Sequence, residues 1–226
     1  MKLEQALEIR RGITAIIGGG GKTSLLRILG EDLAEQGHTV LLCTTTKIFP
    51  FPGLVNLESP TIEELKNALT VHRLIAAGTP LFGTGKLSAL KLPMEVLADL
   101  ADYVLVEADG SAGRPVKAHA PYEPVIPSEA VQVICVVGAS GFGLHIEQAA
   151  HRPELYAKLA GVTPDTPVTP ELEATVLKAE NLHSQVYVNQ ADTPHRLSEG
   201  KKLKDLLHCP VTVGALPKQG GHVLCW

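Results

Sequence analysis

The chain has 226 residues, of which 45% are apolar and only 4% aromatic, enough for one α/β domain with the aliphatic core that parallel sheets use. Its formal charge of −4 gives no ground for a nucleic-acid partner or for attraction to an acidic membrane surface. Cys43, Cys135, Cys209 and Cys225 are scattered, the N-terminus is polar and no long apolar run occurs; reduced buried thiols and a cytoplasmic protein are expected, with neither export nor membrane spanning.

In chain order, the β-branched run ITAII over residues 13–17 predicts a strand, and it enters four glycines followed by Lys22, Thr23 and Ser24. The next stretch, LLRILGEDLAEQG, has helical spacing with Leu25, Leu26, Leu29 and Leu33 on one face. TVLLCTTT, residues 39–46, predicts a second strand ending in threonines. Residues 61–71 predict a helix with Thr61 as N-cap and Glu64 three residues on. Residues 74–77 suit a strand, residues 78–85 read as turns, and PMEVLADLA predicts a helix with Pro93 at its start. YVLVEADGS, VQVICVVGAS, VYVNQAD and CPVTVGAL predict further strands. Between 141 and 184 lies a helix-rich insertion, with Pro170 and Glu171 opening the helix ELEATVLKAE. Alternating apolar strands and helices predict an α/β fold, a mostly parallel β-sheet flanked by helices in three layers, P-loop NTPase-like. A single domain over residues 1–226 is expected, with the insertion at about 141–184 as a lateral subdomain. Ligands of such sheets bind at the strands' C-terminal edge.

Strand, glycine-rich loop, Lys-Thr and helix is the order a P-loop requires. Gly18, Gly19, Gly20 and Gly21 let the backbone aim N–H groups inward as an anion nest. Lys22 is expected between the β- and γ-phosphates, with the Thr23 hydroxyl on Mg²⁺ and Ser24 completing the motif. The standard pattern needs glycine at position 16, where Ile16 stands. The shorter loop Gly18-x-x-Gly21-Lys22-Thr23 is similar to that of Mur-type amide ligases.

Three more segments follow in the order of a guanine-nucleotide site. Glu107-Ala108-Asp109-Gly110 matches the acidic D-x-x-G position of GTPases, and its Glu-first form is similar to the nickel-insertion GTPases of urease and hydrogenase maturation. It makes Glu107 and Asp109 the candidate Mg²⁺ carboxylates, either orienting water for hydrolysis, and Gly110 the γ-phosphate sensor. Asn189-Gln190-Ala191-Asp192 stands where GTPases carry N-K-x-D, so Asp192 is the candidate reader of guanine; Gln190 departs from the pattern. Ala215, in Gly214-Ala215-Leu216, resembles the loop that closes over the base. Thr45, Thr46 and Lys47 end the second strand; a threonine hydroxyl there is a candidate for Mg²⁺ or the γ-phosphate, and Lys47 for neutralising phosphate charge. Arg114, Lys117 and His119 lie in the proline-stiffened stretch SAGRPVKAHAPYEPVIP, the expected switch and the contact for a second substrate or a partner. Gly83-Thr84-Gly85-Lys86 lacks the strand-to-helix setting of a phosphate loop and reads as a turn.

Together GGGGKTS, TTTKI, VEADGSAGRPVKAHAPYEPVIP and NQAD resemble the YqeC-type accessory proteins of selenium-dependent molybdenum hydroxylases, from about residue 12 to 216. The resemblance implies a role in preparing or inserting a selenium-containing molybdenum cofactor, with the hydroxylase or its cofactor as partner. It also implies phosphate binding at Gly18 to Thr23, with Thr45, Thr46 and Lys47 nearby, and Mg²⁺ at Glu107 and Asp109. The expected protein is a slow P-loop NTPase using Mg²⁺ with GTP or ATP, its nucleotide cycle moving residues 110–127. An ATP-dependent small-molecule ligase or kinase, and a non-catalytic cofactor chaperone, are the alternatives. Many GTPases of this kind dimerise across the nucleotide, which leaves a homodimer open.

Overall fold

The computed structural model describes residues 2–217 and the strand Leu224–Cys225. In chain order the elements are α1 (Leu3–Ala6), β1 (Gly12–Gly18), α2 (Lys22–Glu35), β2 (Val40–Thr44), β3 (Lys47–Ile48), β4 (Val55–Glu58), α3 (Ile62–Val71), β5 (Leu74–Leu81), β6 (Lys86–Ser88), α4 (Met94–Leu100), β7 (Tyr103–Glu107), β8 (Val116–Lys117), β9 (Ala130–Gly138), α5 (Ile146–Ala149), β10 (Ala150–His151), α6 (Pro153–Ala160), α7 (Pro170–Glu180), β11 (Gln185–Asn189), α8 (Pro194–Leu206), β12 (Val211–Ala215) and β13 (Leu224–Cys225).

An eleven-stranded sheet runs β13-β12-β11-β9-β1-β7-β2-β5-β6-β3, with β4 on β5. From β12 to β5 every neighbour is parallel. Side chains of β1 alternate between the faces, as strand geometry dictates. Ala15 and Ile17 join a cluster with α7 and α8 residues such as Leu177 and Leu203. Ile16 packs instead with Leu25, Leu29 and Leu33 of α2, and Ile13 with Leu65 and Leu97 of α3 and α4. Helices therefore cover both faces, giving the three layers of an α/β/α P-loop-like fold. Among the described residues no helix is long and apolar enough to cross a membrane. Cys43 and Cys135 are buried free thiols and Cys209 is a half-buried one; the side chain of Cys225 lies outside the described residues.

Local signals set several ends. Thr61 and Glu64 form a full capping box at α3, and Thr169 caps α7 ahead of Pro170, each cap satisfying N–H groups the helix cannot. Two expectations need correction. The run of residues 39–46 stops being strand at Thr44, because Thr46 turns back so that its N–H donates to Thr44 Oγ1, while the Thr45 N–H donates to the Glu107 carbonyl; threonine hydroxyls compete with the ladder for such bonds. Residues 78–85 are not all turn: β5 continues to Leu81, and β6 returns antiparallel to it and pairs with β3. Residues 141–184 hold α5, β10, α6 and α7, and β10 pairs with β8 beside the glycine-rich loop.

Candidate functional site

The β1–α2 turn lies at the C-terminal edge of the sheet, where β7 and β9 flank β1. Gly21 forms the N-cap of α2 at φ 113°, with no side-chain cap. The first-turn N–H groups of α2 therefore lack intrahelical partners and the helix dipole is open at this end. They face a cavity of about 500 Å³, whose walls include Lys22, Thr23, Lys47, Phe49, Lys86 and Glu107.

Thr23 and Glu107 meet directly, the Thr23 hydroxyl donating to Glu107 Oε2 at 2.7 Å. Glu107 is nearly buried, and burial pushes its carboxyl up even though Lys22 and the Thr23 hydrogen bond oppose that shift. A carboxylate and a hydroxyl on the wall of a cavity are hard oxygen donors of the kind Mg²⁺ takes alongside substrate phosphates. These two residues fit Mg²⁺.

Asp109 lies elsewhere. Its carboxylate is fully buried and takes the Gly18 N–H at 2.9 Å on Oδ2. Around it stand Lys22 at 3.0 Å, Lys117 at 3.2 Å and His119 Nε2 at 2.7 Å. Lys22 is the cation at Oδ1, an ion pair without hydrogen-bond geometry. Burial raises the Asp109 pKa, but the His119 hydrogen bond and the charges of Lys22 and Lys117 outweigh it and hold the carboxyl at about 2. The sequence joins Glu107 and Asp109 as metal carboxylates; the structure separates them, one on the cavity and one inside a charge cluster.

That cluster reaches into the insertion. His119 Nδ1 meets Glu180 at 2.7 Å. Burial lowers the His119 pKa, yet the two carboxylates more than offset this and raise it, each ring nitrogen lying 2.7 Å from a carboxylate oxygen. Lys117 also pairs with Glu123 at 2.9 Å, and Glu123 with Arg152 at 2.8 Å. Lys117 and His119 were expected to meet a second substrate or a partner; instead their side chains are 0% and 3% exposed, consumed by internal carboxylates. Arg114 is exposed, and its guanidinium donates to the Gln148 carbonyl.

The same segment presses on the glycine-rich loop. The Gly20 N–H donates to the Arg114 carbonyl at 3.0 Å and the Gly19 N–H to the Val136 carbonyl at 2.9 Å. A Cβ at Gly19 would lie 2.6 Å from both the Arg114 and Pro115 carbonyl oxygens. The expected nest is thus only partly open: the Gly18, Gly19 and Gly20 N–H groups donate to Asp109 Oδ2, the Val136 carbonyl and the Arg114 carbonyl in turn. The Lys22 ammonium folds back on the Gly18 carbonyl at 2.6 Å.

On the other side of β1, Asn189 ends β11 and locks the loop. Its Nδ2 donates to the Gly20 carbonyl at 2.7 Å, and its Oδ1 accepts from the Leu216 N–H at 3.0 Å. Asn189→Ala should lose about 2 kcal/mol of stability, since the buried Gly20 carbonyl and the half-buried Leu216 N–H lose their partner. Asn189→Asp should restore only the Leu216 bond; urea melts of the two variants check this. Gln190 accepts from Ser140 at 2.5 Å, and Asp192 pairs with Arg196 at 2.6 Å on the surface. Ala215 is buried at the end of β12, beside the Gly214 carbonyl that takes the Ala191 N–H. Thr45 donates to the Val125 carbonyl at 2.7 Å, the Thr46 and Thr44 hydroxyls hydrogen-bond at 3.3 Å, and Gly110, Ser24 and Lys47 line the cavity. Phe49 and Lys86 are further wall residues; pairing of β3 with β6 brings them together, which no local pattern in the sequence signals.

Residues 14–154 match the family described as YqeC protein. The chain belongs to the YqeC protein family. The matched region takes in the β1–α2 loop, Glu107, Asp109 and the whole 110–127 segment, while Asn189 and Asp192 lie beyond it. A similar relative is the uncharacterised protein YqeC of Escherichia coli (strain K12), 32% identical over 166 residues, or 69% of this chain. The chain spans 63% of the length of that relative over the match. Among solved structures, FtsY of Mycoplasma mycoides is similar at 15% identity and a TM-score of 0.45, over 97% of this chain and 65% of FtsY. The signal recognition particle 54 kDa protein of Aeropyrum pernix K1, solved with GDP, is similar at 16% identity and a TM-score of 0.46, over 96% of this chain and 44% of that protein.

Proposed function

We propose that this YqeC-family protein binds a nucleoside triphosphate with Mg²⁺ at the β1–α2 loop and hydrolyses it slowly. The observation that carries this reading is the 2.7 Å contact between Thr23 at the head of α2 and Glu107 at the end of β7, on the wall of the cavity that faces the first turn of α2. Phosphate oxygens would take the open N–H groups of that turn and draw the Lys22 ammonium away from Asp109. Thr23 and Glu107 would hold Mg²⁺, which supplies charge neutralisation on the phosphates when bound. Glu107, whose carboxyl is raised by burial, is the better candidate to orient water; Asp109, at about 2 and out of reach of solvent, is a weak base. Asn189 fixes the loop, and Asp192 is the guanine reader if GTP is the nucleotide. The nucleotide cycle would move residues 110–127 and serve the preparation or insertion of a selenium-containing molybdenum cofactor.

Equilibrium binding of GTP and ATP, with and without Mg²⁺, tests this. Binding should require Mg²⁺ and fall about a hundredfold in Lys22→Ala, the loss of one charge-assisted phosphate contact. A preference for GTP that disappears in Asp192→Ala supports guanine reading. Failure to bind either nucleotide overturns the proposal. Selenium content of molybdenum hydroxylase matured with Lys22→Ala in place of the native chain tests the biological role.

A further inference from the structure

The cavity runs from the head of α2 and Glu107 to Lys47, Phe49 and Lys86. In the sheet order, β11 and β12, which carry Asn189 and Ala215, lie on one side of β1, while β7, β2, β5, β6 and β3 lie on the other. A nucleotide whose base lies toward β11 and β12 therefore points its terminal phosphate toward β7, and the remaining cavity lies past that phosphate. Its outer wall is the antiparallel β3–β6 arm. Ile48 and Leu87 of this arm are paired and buried at 5% and 2% exposure. By the two-residue alternation of strands, Lys47 and Phe49 share the opposite face, and Lys86 joins them, its ammonium 4.7 Å from the Phe49 ring centre.

Both lysines line the cavity, and among the described residues no carboxylate lies within ion-pair distance of either. The buried cations of the site each have a carboxylate partner: Lys22 has Asp109, Lys117 has Asp109 and Glu123, and His119 has Asp109 and Glu180. Phe49 adds an apolar surface that is 60% exposed. With no carboxylate beside them, both ammonium groups are available to attract an anion that enters the cavity.

We propose that the β3–β6 end of this cavity binds a second substrate, a small molecule carrying a phosphate or carboxylate group on an aromatic or apolar body. Lys47 and Lys86 take the anionic group and Phe49 packs against the body. The inference rests on the nucleotide reading only for what fills the other end. It moves the second-substrate contact from Lys117 and His119, which are buried in ion pairs, to residues that face open space.

The test uses the full chain, saturated with Mg²⁺ and a non-hydrolysable nucleotide, titrated with 1-naphthyl phosphate, 1-naphthoate and uncharged 1-naphthol. One of the two anions should bind at least about tenfold tighter than the alcohol, and whichever does so names the group. In the K47A/K86A double variant, shown folded by circular dichroism, that advantage should vanish; in Phe49→Ala all three should weaken. Equal binding of 1-naphthol, or an anion affinity unchanged in the double variant, overturns the proposal. So does anion binding that falls in Lys22→Ala but not in K47A/K86A. The same titration without nucleotide remains interpretable if nucleotide binding itself fails, so the two ideas stand or fall separately.

Discussion

Asp109→Asn is expected to lower the free energy of unfolding by about 3–5 kcal/mol, the loss that follows when one partner of a buried charge cluster is removed. The substitution keeps the side chain's size, so the effect isolates charge. Lys22, Lys117 and His119 all lean on this one carboxylate, and none has solvent to turn to, because their side chains are at most 3% exposed. The comparison is Glu35→Gln, which removes an exposed pair with Lys2 and should change stability by less than about 1 kcal/mol. Urea unfolding with an unchanged m-value checks both. A loss for Asp109→Asn no larger than the surface control would show that the cluster is not a structural centre.

The pH dependence follows from the same contacts. Asp109 has its pKa lowered from 3.8 to about 2. Its contribution is complete above 3.8 and is lost as pH falls through about 2. His119 has its pKa raised above 6.5, so its contribution is complete below 6.5 and is lost as pH rises through the folded value. For these two groups, stability is greatest between the two ordinary values and falls on either side. In Asp109→Asn the alkaline fall should shrink, since only Glu180 still favours the imidazolium.

Gly20→Ala should cost about 4 kcal/mol of stability and reduce nucleotide affinity with it. Gly20 sits at φ +69°, and a Cβ there would lie 2.4 Å from the Gly138 nitrogen. Left-handed backbone disfavours alanine by about 1–3 kcal/mol. The steric overlap adds a further ~1–3 kcal/mol, because its neighbour is backbone at the end of β9 that cannot rotate away. Gly37→Ala separates the two effects. Gly37 has φ +91° but nothing within 4 Å, so it carries backbone strain alone, about 1–2 kcal/mol. Thermal or urea melts of the pair give the overlap by difference. Equal losses would mean that the loop has slack against β9, and that its shape is not set by that strand.

Much of the architecture was legible in the sequence because it depends on short-range rules. Apolar runs such as residues 13–17 and 103–106 are too continuous for a half-exposed strand, which is why a helix-covered parallel sheet could be read from them. The helical spacing of Leu25, Leu29 and Leu33, the Thr61–Glu64 box and Pro170 at a helix start are all local. The order of Gly18–Thr23, Glu107 and Asn189 also placed these residues at one sheet edge, since each ends a parallel strand or starts a helix there.

Only the tertiary structure decided which charges face space and which face one another. Glu107 and Asp109 are two residues apart and chemically alike, yet burial against Lys22, Lys117 and His119 makes one a clamp while the other lines the cavity. No spacing rule pairs His119 with Glu180, because 61 residues separate them. Nor does any rule bring Lys86 over Phe49, since that contact follows from an antiparallel arm that begins in a glycine-rich turn. Backbone propensity and hydrophobic periodicity act over a few residues and are written in the chain; charge pairing depends on distance and burial, which exist only once the chain has folded.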